Sequence, residues 1–173
     1  MNMRSMCSAL LSLALASAVH AAPFDVYRGA CLDTGADGAK VRALAASQKW
    51  EKLSEAERDR LAPGSNALEG WAIVKDNARY LVSISGGTAT GMAGDRSGSQ
   101  VASCSMLTPK ADHKSAAKAY GDFLKRAVGT EETVEGTTTY TWSVQDSSNL
   151  SYHYLVAGPS LNGLSLSVSS IRK

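Results

Sequence analysis

The chain has 173 residues, 20% of them charged and 44% hydrophobic, and 18 Lys and Arg against 16 Asp and Glu give a formal net charge of +2. That length points to one domain, and the composition excludes a disordered chain and a polytopic membrane protein. The near-neutral charge argues against a nucleic-acid partner, and 6% aromatic residues are too few for a base- or sugar-stacking platform.

Arg4, the apolar run Ala9–Val19 and the small residues of Val19-His20-Ala21 have the pattern of a cleaved secretory signal peptide. The expected boundaries are a signal peptide over 1–21 and a single α+β domain over 22–173, exported to the periplasm or beyond the cell. The run of 11 apolar residues is too short for a permanent span, and no second long apolar stretch follows. Cys7 leaves with the leader, so Cys31 and Cys104 form the expected disulfide of an exported chain.

In chain order, Pro23–Leu32 alternates weakly and is expected to be a short strand. Asp33, Thr34 and Asp37 are N-cap candidates for a helix whose apolar stripe runs through Val41, Leu44 and Ala45. Ser54-x-x-Glu57 reads as a capping box opening a second helix that Pro63-Gly64 would stop. Trp71–Lys75 and Arg79–Ser85 read as a hairpin around Asp76-Asn77-Ala78. Residues 85–100, with five glycines, read as a long loop with an irregular strand near Met92, and Val101–Leu107 as a strand. The strongest helix opens at Pro109 or Asp112. It carries Ala116, Tyr120, Phe123, Leu124 and Ala127 on one face, and Gly129 supplies a left-handed cap. Three strands close the chain. Tyr140, Trp142 and Val144 line the apolar face of the first, Leu150, Tyr152, Tyr154 and Val156 that of the second, and Leu164, Leu166 and Val168 that of the third.

The expected fold is therefore α+β, an antiparallel sheet covered on one face by two main helices. Cys31 to Cys104 spans 73 residues and Trp71 to Trp142 spans 71. Those spacings raise two pseudo-repeated β-α-β-β halves with the disulfide joining equivalent positions.

No sequence pattern assigns a catalytic residue, a metal or a cofactor. His113 and His153 read as surface histidines, and there is no Gly-x-Ser-x-Gly elbow to pair with either. Asp33, Asp37 and Gly94-Asp95-Arg96 lack the terminal glutamate of a calcium loop. The glycine-rich stretch lacks the Gly-Lys-Ser/Thr of a phosphate cradle. Glu131, Glu132 and Glu135 read as a connecting loop. The readings left for partner contact are Gly91, Asp95 and Arg96 on the glycine-rich loop, Lys114 and Lys118 of the basic stripe begun by Lys110, and the paired Tyr152 and Tyr154. The expected function is a non-enzymatic binding or inhibitor-type module acting on an envelope or extracellular protein. In general architecture, though in no motif, that make-up is similar to small periplasmic inhibitors of lysozyme or β-lactamase. The competing expectation is a small hydrolase using His153 or His113.

Overall fold

The computed structural model describes residues 23–61, 69–88, 98–109, 111–146 and 149–172. The leader 1–21 with Cys7, the Pro63-Gly64 stop, Met92, Gly91, Asp95, Arg96 and Lys110 all lie outside the described residues.

Pro23 opens a helix, not a strand: α1 runs Pro23–Tyr27 and passes into a wider helical turn over Arg28–Leu32. The period explains the correction. Phe24, Tyr27 and Cys31 fall at helical spacing and are all buried, and proline suits a first helical turn, where its missing N–H has no partner to lose. Next come α2 (Gly38–Ser47), the two-residue β1 (Glu51–Lys52) and α3 (Glu55–Leu61). Asp37 caps α2 by accepting from the amides of Ala39 and Lys40. The capping box forms as expected: Ser54 Oγ accepts from the Glu57 amide, and Glu57 accepts from the Ser54 amide.

The remaining elements are β2 (Glu69–Lys75), β3 (Ala78–Thr88), β4 (Gln100–Pro109), α4 (His113–Leu124), β5 (Thr130–Val134), β6 (Thr137–Gln145), β7 (Asn149–Gly158) and β8 (Gly163–Arg172). All eight strands form one antiparallel sheet in the order β1-β2-β3-β4-β8-β7-β6-β5. The β2–β3 hairpin turns on Asp76 and Asn77, both at positive φ, as a tight two-residue hairpin requires.

Three further expectations are corrected. Ser85–Thr88 and Gln100 belong to strands and not to the expected loop, because Ser85–Thr88 pairs with Gln100–Ser103 as sheet. Glu131 and Glu132 lie on β5, an edge strand, and Glu135 with Gly136 makes a tight turn at positive φ. α4 ends at Leu124, and Lys125 at φ 52° is its left-handed cap in place of Gly129, leaving Ala127 beyond the helix. The Lys125 and Arg126 amides close the last turn onto the carbonyls of Asp122 and Gly121. Asp112 opens α4 by accepting from the Ser115 amide at 2.7 Å. Asp112→Ala removes that cap and should lower the denaturant midpoint with an unchanged slope.

The main core lies between α1, α2 and α4 and one face of the sheet. Phe24, Tyr27, Val41, Ala45, Ala116 and Tyr120 pack there with Trp71, Val82, Met106, Trp142, Leu155 and Leu166. α3 sits on the opposite face, where Leu53 and Leu61 pack on Ala72, Leu81 and Leu107. Cys31 and Cys104 are bonded, joining the turn after α1 to β4. Since Cys31 lies in a helical turn, the first strand of the expected β-α-β-β half does not exist, and the disulfide does not join equivalent positions. Among the described residues no helix is long and apolar enough to cross a membrane.

Candidate functional site

β7 faces the opposite way from the sequence expectation. His153 pairs with Trp142 on one side and Val168 on the other. Cross-strand partners share a face, so two core neighbours force His153 inward. It is 6% exposed, and Tyr152 and Tyr154 turn outward. The expectation of a surface histidine is therefore overturned.

Burial of His153 is made tolerable by a chain of hydroxyls. Tyr120 Oη lies 3.1 Å from His153 Nδ1, 2.8 Å from Tyr27 Oη and 3.2 Å from the Ser167 carbonyl. On the other side of the ring, Nε2 lies 3.0 Å from Ser151 Oγ. Burial holds His153 neutral, lowering its pKa to about 4, because hydroxyls and not a carboxylate meet both ring nitrogens. Burial also raises the Tyr120 and Tyr27 phenols above their usual range. The network unites α1, α4, β7 and β8, and no sequence motif announced it. His113 stands apart from it, at the start of α4, with Nδ1 3.0 Å from Tyr140 Oη.

The anticipated contact residues divide between two surfaces. Lys114 and Lys118 line an open groove of about 820 Å³ between α4 and β5, with Lys125, Arg126 and Glu131. Lys118 is neutralised by Asp122 at 2.7 Å. Tyr152 and Tyr154 lie on the other side of the sheet, their rings 6.5 Å apart and nearly parallel at 22°.

The strand register continues that tyrosine pair into two rows across five strands. One row is Ser83, Ser105, Ser167, Tyr154 and Thr141. The next is Ser85, Ser103, Ser169, Tyr152 and Ser143. Every member carries a hydroxyl and none carries a charge. Ser103 and Ser169 are hydrogen-bonded at 2.8 Å. More apolar rows flank the hydroxyls: Leu81, Leu107, Ser165 and Val156 on one side, and Val101, Ile171 and Leu150 on the other. Five strands at about 4.8 Å spacing make the band roughly 19 Å wide. The alternating serines of β8 were legible in sequence, but their alignment with β4 and the tyrosines needed the register.

These features define a mixed α/β protein on one eight-stranded antiparallel sheet, with a disulfide from the helical turn after α1 into a central strand. No family model, no curated protein and no solved structure matches the chain.

Proposed function

We propose that the protein is a non-enzymatic, exported binding or inhibitor-type module that holds an envelope or extracellular protein against the face bearing Tyr152 and Tyr154. The observation that carries this reading is the stacked tyrosine pair set in two uncharged hydroxyl rows. Tyrosine offers large contact area at low entropy cost, and serine offers adaptable hydrogen bonding, the combination that antibody paratopes use. The disulfide, buried at both sulfurs, suits an oxidising compartment. Lys114 and Lys118 are on the helix side of the sheet, so one partner surface does not span both sets. Gly91, Asp95 and Arg96 remain part of the proposed contact set.

The register also supports an internal duplication. A step of 71 residues carries Trp71 onto Trp142, Val82 onto His153 and Ile84 onto Leu155, each a buried position. The same step carries the paired Lys75 and Ala78 onto Asp146 and Asn149, which are bonded across the next hairpin. On the adjoining strand a step of 62 carries Met106 onto Val168 and Ser105 onto Ser167. Ser105 and Ser167 face each other where β4 meets β8, as a twofold axis at that point requires.

Affinity capture from the cell envelope with tagged protein tests the binding reading. One enriched protein is expected, held by wild type and by a Lys114→Ala/Lys118→Ala variant. Tyr152→Ala/Tyr154→Ala should weaken capture at least about thirtyfold, the loss expected when a tyrosine anchor is truncated. Equal capture by a folded double-tyrosine variant overturns the reading.

A second reading, a small hydrolase, has one observation in its favour, the 3.0 Å approach of Ser151 Oγ to His153 Nε2. Against it, Ser151 is 9% exposed and His153 6%, and the lowered pKa makes the imidazole a weak base. Ester hydrolysis by wild type that Ser151→Ala abolishes would restore it.

A further inference from the structure

We infer that the patch formed by Ser143, Tyr152 and Ser169 receives a basic amphipathic helix of a protein partner, in the place that α3 fills in the other half of the sheet. This rests on the binding reading above and names the partner's chemistry at the same site.

Residues 53–61 cover one end of the face on which Tyr152 and Tyr154 lie. Leu53 and Leu61 pack on Ala72, Leu81 and Leu107. Leu53 lies so close to the strand that a Cβ added at Gly70 would come 2.6 Å from its Cδ1. The two steps of the duplication carry Ala72 onto Ser143, Leu81 onto Tyr152 and Leu107 onto Ser169. Those three residues are direct neighbours across β6, β7 and β8.

Among the described residues, no segment of the second half covers them from within. Residues 53–68 separate β1 from β2, whereas only Glu135 and Gly136 separate β5 from β6. Ser143 is exposed, and Tyr152 is partly so. Three strands are about 10 Å across, which two turns of helix, about 11 Å, span. Thr141 stands where Gly70 stands in the first half. An incoming helix therefore rides higher than α3, on the tyrosine rings.

Charge selects the kind of helix. α3 is tied down through Glu57, which pairs with Arg79 of β3 at 2.9 Å. On the bare side the signs reverse. Glu132 lies opposite Thr139 and shares its face, and Glu135 stands at the adjoining turn. Neither forms an ion pair among the described residues. A helix with Lys or Arg beside its apolar stripe would neutralise both, and an acidic one would be repelled.

The test is photocrosslinking in the producing cells, with p-benzoylphenylalanine replacing Tyr152 or Tyr154 in the full chain and the crosslinked partner segment mapped by mass spectrometry. The expected result is a crosslink from position 152 to a helix with an apolar stripe and flanking Lys or Arg. Its yield should fall roughly threefold to tenfold in Glu132→Gln/Glu135→Gln, the range for two exposed ion pairs. A crosslink to a loop, a strand or a helix lacking basic residues overturns this inference but leaves the binding reading standing. No crosslink from either position, in protein whose melting is unchanged, overturns both.

Discussion

Lowering the pH from 6.5 to about 4 should remove about 3 kcal/mol of stability, and His153→Gln should abolish most of that dependence. The unfolded chain takes up a proton on His153 below pH 6.5, while the folded chain resists it until about pH 4. Between those values the unfolded state binds more protons, so stability falls as pH falls. The carboxylates act in a lower window. Hydrogen bonds from the Lys40 amide to Asp37, from the Ser54 amide to Glu57, from Arg42 to Glu69 and from Ser115 to Asp112 lower those pKa values. Their contributions are present above their ordinary values and are lost only as pH drops below those. Urea unfolding at intervals between pH 4.5 and 7 therefore isolates the histidine. The variant should be less stable at pH 7 but nearly level across that range, and a variant with the wild-type slope would show that His153 is not buried neutral. At the alkaline end the raised phenols of Tyr27 and Tyr120 work in the opposite sense. The unfolded chain ionises first, so stability falls as pH rises above 10.

The same histidine shows why part of the fold was legible and part was not. Caps and short turns were readable because each depends on two or three adjacent residues: Asp37, Ser54 with Glu57, Asp76 with Asn77, and Asp112. The face of β7 was not, because both of its faces mix apolar and polar side chains. Judged alone, Leu150, Tyr152, Tyr154 and Val156 are the better core set. Pairing with Trp142 and Val168 decides otherwise, and that information lies on two other strands. Pro23–Leu32 failed for a related reason. Its residues satisfy a weak two-residue period and a helical one, and packing of Phe24 and Tyr27 against Tyr120 favours the helix.

The candidate site was half visible for the same reason. Tyr152 and Tyr154 stood out as a pair, but as core lining they would have had no role in binding. Turning them outward costs the core little, because His153 fills their place and satisfies its nitrogens on Ser151 and Tyr120. The exchange frees two tyrosines for the surface, beside serines that four separate strands contribute. The buried network thus backs the proposed contact face, meeting it at the Ser167 carbonyl.

That coupling bears on the disulfide, whose loss should have the largest single effect on stability. Cys31→Ala/Cys104→Ala should destabilise the protein by about 4 kcal/mol, because the bond closes a loop of 73 residues and limits the freedom of the unfolded chain. The effect should also have a place in the structure. The bond ties the turn following α1 to β4, and α1 brings Tyr27 to Tyr120 at 2.8 Å. Without the bond, α1 is held by packing of Phe24, Val26 and Tyr27 and by the Tyr27–Tyr120 hydrogen bond, so amide exchange should accelerate most over residues 24–36. Water reaching Tyr27 would then hydrate the far end of the chain leading to His153, raising the histidine pKa towards its ordinary value. The double-alanine protein should accordingly be less stable at pH 7 and also less sensitive to pH between 4.5 and 6.5. A uniform loss of stability with the pH slope intact would mean that the bond acts on the unfolded chain alone and leaves the Tyr27–Tyr120–His153 network undisturbed.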